Sequence, residues 1–388
     1  MSVDQLVPST EQVHAALATV QDPEIHKPIT DLGMVRSVEV GPGGDVSVGV
    51  YLTVAGCPMK DTITARVSSA VQAVEGVSGV RVELDVMSAT QRQEMQARLR
   101  AESGIKEREI PFAKPGSLTR VYAVASGKGG VGKSSVTVNL AVEMARSGLA
   151  VGVVDADVYG HSVPDMLGVG DRRPTQVDDM IMPVDAHGVR AISIGMLKPR
   201  KDQVVAWRGP MLDRALVQML SDVFWGDLDV LLLDLPPGTG DVAISLGQHL
   251  ANAEVLVVTT PQQAAADVAE RAGTLASMLR QRVAGVVENM SYLPCPHCGP
   301  DHRLEVFGSG GGDRVAATLA QRFGYDVSVL GRVPLDERLR AGGDHGVPLV
   351  LSDPDAPAAV ELAGVARHLT SRTRGLAGMQ LGVTPAGG

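Results

Sequence analysis

The stretch Gly127-Lys128-Gly129-Gly130-Val131-Gly132-Lys133-Ser134 follows the apolar run Val121 to Ala125 and opens a segment with helical spacing. A glycine-rich turn of this kind between a buried strand and a helix leaves few folds open. Its glycines let backbone N–H groups crowd around a polyphosphate, Lys133 can reach the β/γ oxygens, and the Ser134 hydroxyl can ligate Mg²⁺. A strand-to-helix turn can be rich in glycine for structural reasons alone. The complete phosphate-loop pattern in a strand, loop and helix context argues instead for a nucleotide site at Gly127 to Ser134.

With 388 residues, the chain is long enough for two or three domains. It is 44% apolar but only 3% aromatic, so its core rests on Val, Leu, Ala and Ile, as in buried parallel sheets. The expectation is an α/β fold, a doubly wound and mainly parallel P-loop sheet preceded by a small α+β domain. A formal charge of −9 argues against nucleic acid or an anionic membrane as a partner, because both call for large basic surfaces. No apolar run approaches the length of a membrane span, and the N-terminus lacks the apolar core of a signal peptide. A cytoplasmic location is expected. There are three cysteines, Cys57, Cys295 and Cys298, and an odd count in a reducing compartment favours metal or thiol chemistry over disulfides.

Taken in order, Val13, Ala16, Leu17 and Val20 recur at helical spacing, with Ser9 or Thr10 as the cap. Met34 to Val40 and Val46 to Val54 alternate as a hairpin, Asp61 to Val74 returns to helical spacing, and Val80 to Val86 reads as a third strand. These elements make an α+β domain over residues 1–103. Gly104, Pro111, Pro115 and Gly116 break any regular element over residues 104–118, which read as a linker. Residues 119–371 hold the P-loop domain. Residues 372–388, with Gly, Pro and no periodicity, read as a tail.

In the P-loop domain, Ala150 to Val154 is an apolar strand that leads into Asp155 and Asp157, and Asp229 to Leu235 is another that ends at Asp234. Acidic residues at the carboxyl ends of buried strands sit where α/β sheets bind ligands, and one beside a P-loop hydroxyl can hold Mg²⁺. Further strands at Val255 to Thr259, Val283 to Asn289 and Val327 to Val333 alternate with helical Ala264 to Arg280, Arg314 to Phe323 and Ala356 to Ser371. Such alternation implies parallel crossovers. Cys295 and Cys298 stand in Pro294-Cys295-Pro296-His297-Cys298-Gly299. A lone CxxC serves redox enzymes, zinc ribbons and iron–sulfur sites alike. A zinc site built with His297 and His302 stays open. Cys57 lies just before a helix, where unpaired N–H groups favour a thiolate; a buried small hydrophobe is the competing reading.

With Lys128 after its first glycine, the loop resembles the deviant P-loop of the MinD and nitrogenase-iron-protein superfamily. That resemblance implies that Lys128 reaches nucleotide across a homodimer interface. It also implies that Asp157 in switch I positions the attacking water, with Lys133 and Lys128 as its catalytic companions. Asn289 resembles the superfamily asparagine that bonds adenine, and Pro334-Leu335-Asp336 the loop that covers the base. Several stretches narrow the resemblance further, among them Trp207-Arg208-Gly209-Pro210-Met211, Asp234 to Asp241, Glu288-Asn289-Met290-Ser291-Tyr292, the CPHCG stretch and Phe307-Gly308-Ser309-Gly310-Gly311-Gly312. Together they resemble the Mrp/ApbC-type iron–sulfur cluster carrier ATPases. In front, Asp22-Pro23-Glu24 and Leu52 to Pro58 resemble a PaaD/SufT-like domain. One departure is His161, where many members have proline.

The resemblance implies an ATPase that uses ATP and Mg²⁺, with Ser134 and Asp234 on the magnesium. It implies a [4Fe–4S] cluster held by Cys295 and Cys298 at a homodimer interface and passed to apo-proteins, with cluster scaffold proteins as further partners. Two alternatives differ in class: a MinD/ParA-type positioning ATPase, which needs a terminal amphipathic helix or a basic face, and an ATPase with a structural zinc.

Overall fold

The computed structural model describes residues 7–371 except 24, 54–58, 89, 93, 96–108, 115, 158, 159, 161, 178, 179, 198–208, 239, 240, 263–270, 272, 273, 275, 277–280 and 296. Cys57, Trp207, Arg208, His161, most of the expected 264–280 helix, much of the linker and the tail therefore lie outside the described residues. The chain forms two compact units: one of Met1–Glu109 with Thr175–Pro183 and Asp222–Gly226, the other of the remaining segments.

In the front unit, α1 (Thr10–Leu17) starts from a reciprocal cap. The Ser9 hydroxyl accepts from Gln12 N at 3.2 Å, and the Gln12 side chain accepts from Ser9 N at 2.8 Å. Strands β1 (Val35–Val40) and β2 (Asp45–Leu52) pair antiparallel, as the alternation predicts. After α2 (Lys60–Gln72), β3 (Gly79–Val86) returns parallel to β2. Helical spacing puts Val13 and Leu17 of α1 and Ile63, Val67 and Val71 of α2 on buried faces, in one core with Val46, Val48 and Val50.

The second unit begins with β4 (Arg120–Ala125), α3 (Lys133–Arg146), β5 (Val151–Asp155) and the short α4 (Val163–Met166). The two-residue strands β6 (Gln176–Val177) and β7 (Met180–Ile181) interrupt it and belong to the front unit, whose core takes in Val177, Met180 and Met182. A strand of two residues leaves no periodicity to read, so this contribution is invisible in the sequence. The second unit resumes with β8 (Val184–Ala186), β9 (Val189–Ser193), α5 (Gly209–Ser221), β10 (Val230–Asp234), α6 (Asp241–His249), β11 (Glu254–Thr259) and β12 (Val283–Asn289). A hairpin of β13 (Leu293–Cys295) and β14 (Gly299–Leu304) follows, then α7 (Gly311–Phe323), β15 (Val329–Val333), α8 (Glu337–His345), α9 (Leu349–Ser352) and α10 (Pro357–Ser371).

Its large sheet runs β15-β12-β11-β4-β10-β5-β9-β8 and is parallel except for the edge pair β8 and β9. The expected mixed α/β architecture is present. β5, β10 and β12 are buried along their whole length, which is why they read as unbroken apolar runs. Strands β5, β8, β9 and β10 lie on one side of β4 and β11, β12 and β15 on the other, so the winding reverses there. A crevice for ligands opens at the carboxyl ends of strands at such a reversal. The core helix α3 is buried almost all round, and its Asn139 is satisfied by the Ser135 carbonyl and Val350 N.

Candidate functional site

The loop after β4 turns into α3 through Gly130 and Gly132, both left-handed at φ +77°, a conformation that side chains resist. A Cβ at Gly129 or Gly130 would meet nothing within 4 Å. A Cβ at Gly132, by contrast, would come within 2.2 Å of Asn289 Nδ2. The first two glycines thus leave open space, and the third is bare because Asn289 packs against it. Lys133, on the first turn of α3, is 6% exposed and places its ammonium 2.7 Å from Asp234 Oδ2, which is fully buried. The Ser134 hydroxyl donates to the same Oδ2 at 2.6 Å, and Thr137 donates to Oδ1 at 2.8 Å.

Asp155 stands beside Asp234 in register across β5 and β10. Burial, and then the neighbouring Asp234 charge, push its carboxyl well above the ordinary value, against the pull of Lys133 and its hydrogen bonds. Asp155 Oδ1 accepts from Asp157 N at 3.2 Å, and Oδ2 accepts from Val163 N at 3.3 Å and Ser193 Oγ at 3.1 Å. It therefore ties both ends of the 157–163 loop. Asp157 is 8% exposed, and its Oδ1 accepts from Gly160 N at 3.0 Å. Beyond the end of β10, Gly238 N donates to Ser126 O at 3.0 Å. Lys128 Nζ donates to Gln262 Oε1 of its own chain at 2.5 Å.

Beside the phosphate loop lies a cavity of about 520 Å³, lined by Gly132, Asn289, Met290, Pro334, Leu335 and Asp336 on one part and by Ser162, Asp165 and Met166 on another. Asn289 is 2% exposed. Its Nδ2 donates to Val131 O at 2.9 Å, while its buried Oδ1 has no partner. That bond fixes the amide with its oxygen as an acceptor unanswered among the described residues. Asp336 caps α8 through Arg338 N at 2.9 Å. Burial would raise the Asp336 carboxyl, but the hydrogen bonds and charge of Arg338 hold it below the ordinary value.

Cys295 ends β13 and Cys298 follows in the turn to β14, with Cys298 N donating to Cys295 Sγ at 3.3 Å. This N–H, then that of His297 and the Cys298 thiol, hold the Cys295 thiol below its ordinary value. Cys295 is buried and Cys298 is exposed. Among the described residues no three His, Cys, Asp or Glu side chains gather as a metal site, so His297 and His302 do not complete a zinc site with the two cysteines.

Residues 117–370 match the family described as NUBPL iron-transfer P-loop NTPase. The chain belongs to that family. A second family, described as iron-sulfur cluster assembly protein, matches residues 10–84. Among relatives of this iron-transfer NTPase, the iron-sulfur cluster carrier protein of Mycobacterium bovis is 60% identical over 373 residues, 96% of each chain. The carrier of Deinococcus radiodurans is 44% identical over 361 residues, 92% of this chain and 93% of its own. A nucleotide-binding protein from Archaeoglobus fulgidus, solved in complex with ADP, superimposes with a TM-score of 0.52 at 34% identity, covering 63% of this chain and 95% of that one. The family match sets the MinD/ParA-type positioning reading aside. No helix among the described residues is long and apolar enough to cross a membrane.

Sequence reasoning missed several residues of this NTPase site. Ser162, Asp165 and Met166 line the cavity beside the phosphate loop without belonging to any motif. Outside the cavity lining, Glu288 accepts from Gly312 N at 2.5 Å at the start of α7, and a Cβ at Gly311 would come within 2.4 Å of Thr260 O, a close backbone approach that accounts for the run of glycines there.

Proposed function

We propose that this chain binds ATP with Mg²⁺, hydrolyses it, and carries a [4Fe–4S] cluster between two copies of itself for transfer to apo-proteins. The observation that carries this reading is the pair Cys295 and Cys298 on a hairpin tip, one thiol buried and one exposed, with no further ligand gathered around them among the described residues. A [4Fe–4S] cargo takes four thiolates, so two chains supply the set.

On the nucleotide side, the backbone N–H groups of the 127–134 loop and Lys133 take the phosphates, Lys128 serves the partner copy, and Asp157 holds the attacking water. The oxygen donors Ser134 and Asp234 suit a hard cation, and Mg²⁺ held there neutralises charge on the phosphate oxygens. Asn289 reads the base: its free Oδ1 accepts from the exocyclic amine of adenine and faces an unfavourable acceptor in guanine. Pro334 and Asp336 close over the base. Apo-proteins receive the cluster and scaffold proteins supply it, with Cys57 as a thiol for that exchange.

The test is anaerobic reconstitution with iron and sulfide, followed by metal analysis and sedimentation. The expected product is a dimer with about four iron atoms per two chains, lost in Cys295→Ala and in Cys298→Ala. A monomer that takes one zinc and no iron overturns the reading.

A further inference from the structure

The cavity and the cysteines are joined by one continuous stretch. Residues Asn289 and Met290 line the cavity, and five residues beyond Met290 the chain reaches Cys295. Met290 sits at φ +56°, a left-handed conformation that a non-glycine residue holds only when its surroundings fix it. Those surroundings are on both sides. Ser291 N and Oγ both donate to Val333 O, at 2.9 and 3.0 Å. Leu335, which lines the cavity, donates its N–H to the Tyr292 carbonyl at 2.7 Å.

Tyr292 is gripped again from the opposite direction. The Arg303 guanidinium lies 4.3 Å from the centre of the Tyr292 ring, within the range of a cation–π contact. Arg303 belongs to β14 and faces Pro294 in the hairpin register, while Cys295 faces Gly299. The main chain of Tyr292 is thus fixed by the loop that walls the nucleoside cavity, and its ring is fixed by the strand that pairs with the cysteine strand. Among the described residues between Asn289 and Cys295, Tyr292 alone combines a main-chain bond to the 334–336 loop with a ring contact to β14.

We propose that Tyr292 is a positioning residue that ties occupancy of the nucleoside cavity to the geometry of the Cys295 and Cys298 hairpin. The inference rests on the reading that adenosine occupies this cavity. A base wedged between Asn289 and the 334–336 loop holds Leu335 and therefore the Tyr292 carbonyl. The ring then carries that constraint to Arg303 and the hairpin turn. Because coupling between two binding sites is reciprocal, a ligand on the thiols changes nucleotide affinity by the same factor.

The experiment uses the full-length, reduced, metal-free protein and follows maleimide labelling of Cys298 by peptide mass mapping, which separates it from Cys57 and Cys295. ADP with Mg²⁺ is the probe, tripolyphosphate is the base-free control, and calorimetry reports ADP binding in parallel. ADP is expected to change the Cys298 labelling rate severalfold, whereas tripolyphosphate leaves it unchanged. Tyr292→Leu and, as a milder variant, Arg303→Ala should bind ADP as the parent does yet lose the change, and Tyr292→Phe should keep it. If ADP binds and labelling does not respond, or if it responds equally in Tyr292→Leu and Arg303→Ala, the relay is refuted and the nucleoside reading stands. If calorimetry finds no ADP binding, the nucleoside reading falls and the relay falls with it.

Discussion

The phosphate end of the site and the cysteine hairpin are built on opposite principles. At the phosphate end Lys133, Asp155 and Asp234 are buried and answered: Lys133, Ser134 and Thr137 converge on Asp234, and Asp155 is held by three donors. At the hairpin Cys298 is exposed, and no further metal ligand gathers nearby among the described residues. A buried, mutually paired constellation is part of the folding unit, so its removal costs stability as well as function. An exposed thiol is free of that burden. The comparison predicts that variants at the first place damage the protein twice, while variants at the second remove one property and leave the fold intact.

Lys133→Ala gives the largest effect. It removes the cation nearest the phosphates and leaves the Asp234 carboxylate buried without its partner. Breaking a buried pair from one side costs about 3 to 5 kcal/mol, reduced here to the extent that the carboxyl takes up a proton. Nucleotide binding should disappear in calorimetry, and the urea midpoint should fall clearly. A variant that loses nucleotide binding with an unchanged midpoint would break the proposed contrast between the two regions.

Asn289→Ala comes next and probes the base rather than the phosphates. With Oδ1 gone, ATP should bind roughly tenfold more weakly, about 1.4 kcal/mol, while GTP affinity holds or improves. Competition of both nucleotides against labelled ADP measures the ratio. An unchanged preference for ATP would show that base selection resides elsewhere in the cavity.

These two variants also mark what the chain's letters disclose. Strands β4, β5, β10 and β12 are legible because each is a short, largely apolar run closed by a polar residue at or just after its end, as a doubly covered parallel strand requires. Asp234 is legible from its place at such an end, and Lys133 and Ser134 from the glycine-rich loop pattern before the helix. The direction of the Asn289 amide is not, because it depends on the Val131 carbonyl, which only the folded loop brings to 2.9 Å. Nor is the hairpin of β13 and β14 legible, since Pro294, Pro296 and Pro300 leave no alternation to follow. Gln262 as the partner of Lys128 escaped for a similar reason: 134 residues separate them, and no local pattern links the two.

Asp155→Asn should have a smaller effect, seen as a change of slope. The Asp155 carboxyl is raised above its ordinary 3.8 in the folded state. Its contribution to stability is thus fully present below about that pH and is lost as pH rises through the higher folded value. Each proton so linked gives at most about 1.4 kcal/mol per pH unit. The variant cannot make this titration, although it loses a hydrogen bond where its NH₂ faces a backbone N–H. The stability gap between parent and variant should therefore shrink as pH rises above 3.8 in urea titrations. A constant gap would mean that Asp155 is ionised throughout and that burial beside Asp234 is compensated.

Cys298→Ser is the sharpest test because its expected effect on the fold is the smallest. The side chain is exposed, so the replacement hydroxyl can be hydrated and carries no desolvation cost. The Cys298 N–H bond to Cys295 Sγ is made by the main chain and survives the exchange. Surface substitutions of this kind stay within about 0.5 kcal/mol, so the urea midpoint should match that of the parent, and ADP affinity in the metal-free protein should match as well. Iron binding should nevertheless be lost, since a hydroxyl is a poor substitute for a thiolate on iron. A drop in stability comparable to that of Lys133→Ala would show that the hairpin is built like the phosphate site, with its ligands serving the fold. A variant that kept both its midpoint and its iron would show that Cys298 is not a ligand and leave Cys295 to hold the cargo alone.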